Sequence, residues 1–393
     1  MTAHLEPALR RTALTFAARL DDIKDSYVGR NDVVDIVALA VLCREHALLV
    51  GPPGTAKTAV LERFCAVLRA RQFSYLLTRF TEPAEVFGAI DVARFQREGV
   101  YRVNTEGMLP DVDIAFLDEI FHGSSAILNT LLTLVNERVF HNGSTREAAN
   151  LITLLGASND IPDDPVLHAF CDRFLFRCTL DYVPDDKIGE VLEVGWAAER
   201  AAVRAEHGAA GVTGFDLDDL RALQRATAEV DLSGIRDDLT KILLAFRQEA
   251  VAFSDRRAVK AQKAVAARAL LAGRRRAETE DLAVLVHLWT NRQDEATIQR
   301  VVEGHGVPVA ASGSAVRDLE EITYDLTRIA REHDVVAAAE DCRELLRRLG
   351  RLLAEIRATH PRAASTLRKV QLAQAAVIAT LRERFTQEGG FDV

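Results

Sequence analysis

Eight consecutive residues, Gly51-Pro52-Pro53-Gly54-Thr55-Ala56-Lys57-Thr58, constrain this chain more than any other feature, because of what stands on either side of them. Before them is the apolar run Ala47-Leu48-Leu49-Val50, and after them apolar residues recur at helical spacing from Lys57 to Leu68. A strand that turns through glycines into a helix reads as a phosphate-binding loop. Backbone N–H groups face the phosphate oxygens and the helix N-terminus adds partial positive charge. Lys57 reaches the terminal phosphates, and the Thr58 hydroxyl is offered to Mg2+. The strict pattern G-x-x-x-x-G-K-[ST] has glycine where Ala56 stands, so the loop is expected to work only if Ala56 keeps φ below zero. The alternative is an ordinary glycine turn ahead of a helix.

Such a loop needs a parallel sheet to carry it, and the surrounding sequence has the required rhythm. Short apolar runs at Phe73 to Leu77, Ile114 to Leu117, Leu151 to Leu155 and Phe174 to Thr179 alternate with helical patterns. They define an α/β domain over residues 1–180. From 181 to 302 the strand signals stop and five segments show apolar spacing of three and four, which reads as a small helical domain. Residues 303–315, rich in Gly, Ala and Ser, read as a linker. Residues 316–393 read as a helical hairpin or three-helix unit, with Pro361 breaking the pattern before a last helix. The length of 393 residues agrees with two or three domains at ~150 residues each.

Composition excludes several classes. With 48% hydrophobic and 27% charged residues the chain is neither disordered nor fibrous. The most apolar stretch, Val33 to Cys43, contains Asp35 and falls short of the ~18 uninterrupted apolar residues of a membrane span. No apolar signal core follows the N-terminal charges, so a cytoplasmic location is expected. The five cysteines include no C-x-x-C pair and are expected to be reduced core residues. Net charge is 49 − 58 = −9, which disfavours nucleic acid as a partner.

Other residues extend the phosphate reading. Asp113-Ile114-Ala115-Phe116-Leu117 leads into Asp118 and Glu119. At the end of a strand beside a phosphate loop, Asp118 would hold Mg2+ through its water shell, and Glu119 would polarise the water that attacks the γ-phosphate. Asn159, after the Leu151 to Leu155 run, can align that water, as the sensor 1 residue does in the AAA+ class, or simply form a turn before Pro162. Arg173 falls where an arginine finger would be offered to a neighbouring subunit's γ-phosphate, and a surface ion pair with Asp172 is its alternative. Arg256, near the start of a helix capped by Ser254 or Asp255, resembles sensor 2, although adjacent Arg257 leaves the register open. Tyr27 and Val28, with Gly29 and Arg30, sit where that class packs adenine and ribose. His122 and His141 have no partner at ligand spacing and read as loop histidines.

Longer segments carry a family resemblance. Thr78-Arg79-Phe80-Thr81-Glu82-Pro83-Ala84-Glu85-Val86-Phe87-Gly88, Glu106-Gly107-Met108-Leu109-Pro110, and Ala126 to Leu132 with Asn136-Glu137-Arg138 resemble the MoxR family of AAA+ ATPases, in its RavA-like branch. The resemblance runs from about Leu5 to Thr290. It implies an AAA+ core with a helical lid, a hexameric ring holding ATP and Mg2+ between subunits, and an inserted β-hairpin over about Gly88 to Val103. It accepts alanine before the loop lysine. It also implies a chaperone-like role on protein complexes, commonly with a partner carrying a von Willebrand factor A domain. Two other functions compete with remodelling: a nucleotide-gated scaffold with little turnover, and a nucleic-acid-threading motor. The insert's three arginines (94, 97, 102) stand against Asp91 and Glu98, a balance of +1 that does not separate them.

Overall fold

Strand β1 (His46–Val50) has every residue buried, as an unbroken apolar run covered on both faces demands. The computed structural model describes residues 5–162, 164, 167, 170–205, 215–309 and 363–385. It also describes 323, 326, 329, 330, 333, 342, 345, 346, 349, 352, 353 and 356. Around β1 the strands β2 (Gln72–Leu76), β3 (Ile114–Asp118), β6 (Thr153–Ser158) and β7 (Phe174–Thr179) form a five-stranded parallel sheet of order β2-β3-β6-β1-β7. Central β6 is wholly buried, while edge strand β2 alternates between exposed and half-buried residues. Helices α1 (Pro7–Lys24), α2 (Asn31–Cys43) and α3 (Lys57–Leu68) complete this core. Val33 to Cys43, the most apolar run of the sequence, is the buried body of α2. Among the described residues no helix is long and apolar enough to cross a membrane.

Two elements between β2 and β6 differ from expectation. In place of the β-hairpin over Gly88 to Val103 there is a short helix, α5 (Val92–Glu98), after α4 (Pro83–Phe87). Local chemistry favours the helix: the Asp91 side chain accepts the Arg94 N–H, Arg94 pairs with Glu98 at 2.9 Å, and Gly99 closes the turn at φ 65. Only the neck is extended, through an antiparallel bridge between Ile90 and Val103. A true hairpin lies further on, where α6 (Ser125–Glu137) is followed by β4 (Val139–Asn142) and β5 (Thr145–Ala148). Asn142-Gly143 starts its turn, with Gly143 at φ 61. The insert and this hairpin are fastened together. Asn142 accepts from Val103 N at 2.7 Å and donates to Val103 O at 3.0 Å, and a Cβ on Gly143 would stand 2.2 Å from the Tyr101 carbonyl oxygen.

After the sheet come α7 (Ile188–Ala205), α8 (Leu217–Thr227), α9 (Arg236–Gln248), α10 (Asp255–Leu271), a 3-10 helix (Thr279–His287) and α11 (Glu295–Gly304). Glu303 and Gly304, read as the start of a linker, close α11, and Val307 is buried; that reading from 310 onward lies outside the described residues.

Buried arginines tie the helical region to the sheet. Arg257, 2% exposed, donates to the carbonyls of Leu175 at 2.7 Å, Phe174 at 3.0 Å and Leu288 at 3.1 Å. Arg177 donates to Thr290 O and, at 2.8 Å, to Cys171 O, with its guanidinium 5.3 Å from the Trp289 ring centre. Burial, reinforced by Arg257, pushes the Arg177 pKa down to about 10. Glu45 bridges Lys260 and, at 2.9 Å, Lys263 of α10. All five cysteines are buried.

By its internal contacts the chain divides into Met1–Val309 and Ala310–Val393. Within the second unit Leu326, Ile329, Leu345, Leu349, Leu352 and Ile356 pack with Val370 and Val377 of α12 (Ala364–Phe385), and His333 Nε2 lies 2.8 Å from Thr380 Oγ1.

Because Arg257 satisfies three carbonyls from two regions of the chain, Arg257→Ala is expected to destabilise the unit by about 3–5 kcal/mol through unpaired buried groups and a cavity. The urea-unfolding midpoint measures this, and a shift worth under ~1 kcal/mol would contradict the clamp.

Candidate active site

β1 ends at Val50 and Gly51 follows with its N–H on Ser158 O at 3.0 Å. A Cβ at Gly51 would meet Leu180 O at 2.1 Å, so only glycine lets the chain leave the sheet here. Gly54 lies at φ 78 with open space around it. Ala56 departs from expectation: its φ is 62 and ψ 20, in the left-handed region. It is the N-cap of α3, and the loop must reverse there for the first helical N–H groups to turn inward. The methyl group costs about 1–2 kcal/mol in that conformation, which is why the strict pattern has glycine.

Lys57 is 7% exposed and donates from Nζ to Gly51 O at 2.7 Å and Pro52 O at 3.1 Å. Burial lowers its pKa, while Asp118 and Glu119 oppose the shift. The loop is braced from below by Arg30, which donates to Thr55 O at 2.8 Å, Gly29 O at 2.9 Å and Asp181 O at 3.0 Å. Sequence reasoning missed this brace, since the acceptors are backbone carbonyls that leave no side-chain pattern. Tyr27 donates to Ala59 O at 2.9 Å, in the first turn of α3. Tyr27 and Val28 are therefore beside the loop but do not line the cavity over it.

That cavity is lined by residues 53–59 with Asp118, Glu119 and Asn159. Parallel pairing of β3 with β6 and of β6 with β1 brings these strand ends together. Glu119 occupies φ 50, ψ 46, a strained conformation for a glutamate, and its N–H donates to Asp118 Oδ1 at 3.0 Å. Asn159 Nδ2 donates to Glu119 Oε1 at 2.6 Å, and His122 Nδ1 lies 3.6 Å from Glu119 Oε2. His122 thus flanks the carboxylate. Among the described residues no group of three or more His, Cys, Asp or Glu could hold a metal by itself. The Thr58 hydroxyl and Asp118 fit an Mg2+ ion whose remaining ligands are phosphate and water, as that ion prefers.

Arg173 and Arg256 do not reach this cavity. Arg173 precedes β7, whose far end, Thr179, pairs with Val50 beside the loop. Six strand residues separate the two ends, about 20 Å at ~3.3 Å per residue. Arg256 Nη2 bonds Asn136 Oδ1 at 3.0 Å, at the end of α6 remote from Glu119. The two arginines are close enough that Arg256, after burial itself, depresses the Arg173 pKa. Arg173 pairs with Asp172 at 3.5 Å, the ion pair weighed as its alternative, yet its Nε has no partner among the described residues. Arg257 is consumed by the scaffold, which leaves Arg256 as the exposed member of the pair.

A phosphate loop and an acidic strand end on two parallel strands that flank β6, with a helical region beyond the last strand, place the fold in the AAA+ class of P-loop ATPases. A solved structure from Cytophaga hutchinsonii assigned as an ATPase shares this fold, with a TM-score of 0.59 at 17% identity over 75% of this chain and 95% of that chain. Residues 14–225 match the family model of the MoxR domain in the MoxR–vWA–β-propeller ternary systems, and residues 231–302 match an AAA lid domain. This chain belongs to the MoxR family of AAA+ ATPases. It is 34% identical to an uncharacterized protein of Methanocaldococcus jannaschii over 70% of this chain and 71% of that one. To the chaperone MoxR1 of Mycobacterium tuberculosis it is 26% identical over 45% of this chain and 47% of that protein.

The Ala56 geometry yields a direct test. Ala56→Gly should raise stability by about 1 kcal/mol by removing the left-handed penalty, with nucleotide affinity unchanged. Calorimetric binding and urea unfolding read both quantities, and a destabilised variant would contradict the conformation.

Proposed function

We propose that this chain hydrolyses Mg2+-bound ATP at interfaces between identical subunits of a hexameric ring, and uses the cycle to remodel protein complexes in the cytoplasm. The observation that supports it best is the division of charge across the sheet. The cavity has Lys57 as its cation, while Arg173 and Arg256 stand a strand's length away, too far to touch their own chain's phosphates. A neighbouring copy that apposed the two edges would complete the site.

In this reading the N–H groups of residues 54–58 and the Lys57 ammonium hold the β- and γ-phosphates. Lys57 exchanges its loop carbonyls for phosphate oxygens, and the charge it carries in a buried setting is the more effective for that. Mg2+, held by Thr58 and Asp118, would supply neutralisation of phosphate charge. Glu119 takes the proton of the attacking water, and Asn159, bonded to Glu119, sets where that water lies. Arg173 and Arg256 of the next subunit stabilise the charge that builds on the γ-phosphate oxygens, which makes turnover depend on assembly. Tyr27 and Val28, beside the first turn of α3, pack the adenine and ribose.

A protein client is favoured over nucleic acid by the insert. Arg94 is paired with Glu98 and Arg102 lies 3.4 Å from Glu147, so little positive charge is left for a phosphate backbone. Val92, Phe95, Val100 and Tyr101 are exposed instead. A partner with a von Willebrand factor A domain is proposed on the strength of the family model, and the RavA-like branch is the finer placement proposed on the quoted segments. The intact Asp118, Glu119 and Arg173 weigh against a scaffold without turnover.

Two experiments test this. Lys57→Ala should abolish ATP binding, whereas Glu119→Gln should bind ATP normally and lose turnover, because only the first removes a ground-state contact. Equal loss of affinity in both, by calorimetry, would refute the assignment. Arg173→Ala should bind ATP but hydrolyse it on the order of a thousandfold more slowly. Mixing it with Lys57→Ala subunits should restore activity in shared interfaces; absence of rescue after verified subunit exchange would rule out a site built between chains.

A further inference from the structure

Asn136-Glu137-Arg138 ends α6, and each residue makes a different connection. Arg138, in the left-handed conformation at φ 54, donates to Ile152 O at 3.0 Å and also to the carbonyls of Leu151 and Arg44. Glu137 pairs with Arg146 of β5 at 2.6 Å. Just before Asn136, Val135 O lies 3.2 Å from Nε2 of His46, whose Nδ1 accepts from Leu154 N at 2.9 Å and so leaves Nε2 as the donor. The last turn of α6 is therefore pinned to β1, to the segment leading into β6 and to the hairpin. Asn136 stands in that fixed turn with its side chain exposed.

Its partner Arg256 is in an unfavourable place for a cation. It lies in the first turn of α10, where the helix dipole is positive. Arg173 and Lys260 add charge of the same sign nearby. Lys260 is already engaged by Glu45, and Arg173 by Asp172. Among the described residues no carboxylate pairs with Arg256, and its side-chain acceptor is Asn136 Oδ1 at 3.0 Å. Repulsion alone would swing this long side chain outward into many rotamers. A neutral amide oxygen on an immobile helix end fixes the direction without cancelling the charge, which a carboxylate would do.

We propose that Asn136 is the positioning residue for Arg256. It holds the guanidinium in one orientation, with its charge uncompensated, for the terminal phosphate of a nucleotide bound to a neighbouring copy. The inference rests on the role given to Arg256 above. It also gives α6 two functional ends, because its N-terminus follows Glu119 through the 3-10 turn Ile120–His122, and its C-terminus sets the arginine offered to the next subunit.

The test uses the full-length assembled protein and compares Asn136→Ala, Arg256→Ala and the double variant in steady-state turnover and in equilibrium ATP binding. Asn136 is exposed, so Asn136→Ala is expected to fold and assemble as the parent does, which thermal unfolding and sizing verify. Turnover should fall about tenfold, the effect of one orienting charge-assisted hydrogen bond, with unchanged ATP affinity. The double variant should be no slower than Arg256→Ala alone. Mixing Asn136→Ala with Lys57→Ala subunits should raise activity above the sum of the two, since the defect is felt in the neighbour's pocket. A fully additive double variant, weakened ATP binding or no gain on mixing would overturn the proposal. If Arg256→Ala turns over normally, the reading of Arg256 itself fails; if Arg256→Ala is slow and Asn136→Ala is not, only the role of Asn136 falls.

Discussion

Parallel pairing of the five strands is the constraint on which the rest depends. A parallel sheet has two unlike edges, one with every strand's carboxyl end and one with every amino end. At the first edge the chain is forced to turn after β1, β3 and β6, and those three turns hold the phosphate loop, the Asp118-Glu119 pair and Asn159. At the second edge lie Glu45, Arg173 and the contacts of α10. No side-chain motion carries a group from one edge to the other. The chemistry that each edge can perform is therefore set by backbone direction before any residue is chosen.

The helical region is held to the second edge by polar groups that apolar packing alone would not require. Arg257 and Arg177 are buried among carbonyls of β7, of the loop before it and of the segment after the 3-10 helix. Burying guanidinium groups is costly unless their donors are used, and each leaves Nε unpaired among the described residues. Such an arrangement contributes less to net stability than to uniqueness: it accepts one register of α10 against the sheet and penalises its neighbours.

How much of this was legible in the sequence depended on whether the signal was local. The loop, the two adjacent carboxylates and Asn159 sit at strand ends and announce themselves by residue type and spacing, and the structure gathers them around one cavity. The sign of φ at Ala56 was misread because an alanine in a glycine position is normally taken to have escaped the glycine conformation, and here it has not. The insert was misread for a different reason. Asp91, the Arg94/Glu98 pair and Gly99 are ordinary helix-capping signals, and the family resemblance overrode them. Asn142-Gly143 is an equally ordinary hairpin signal that went unread among helical neighbours. The roles of Arg30 and Arg257 could not be read at all, since their partners are main-chain oxygens distant in sequence, which any residue type supplies.

The joint between the insert and the β4–β5 hairpin has an implication for how such a protein can diversify. Asn142 grips main-chain atoms of Val103, and Gly143 leaves room for the Tyr101 carbonyl. The fastening therefore depends on two residues of the hairpin, on the backbone of the insert and on Arg102, whose side chain reaches Thr145 and Glu147 of the hairpin. Side chains from Val92 to Val100 can be exchanged wholesale while the attachment survives. The arrangement is a cassette: the mount is inherited with the motor, and what is mounted on it is open to selection by a different client.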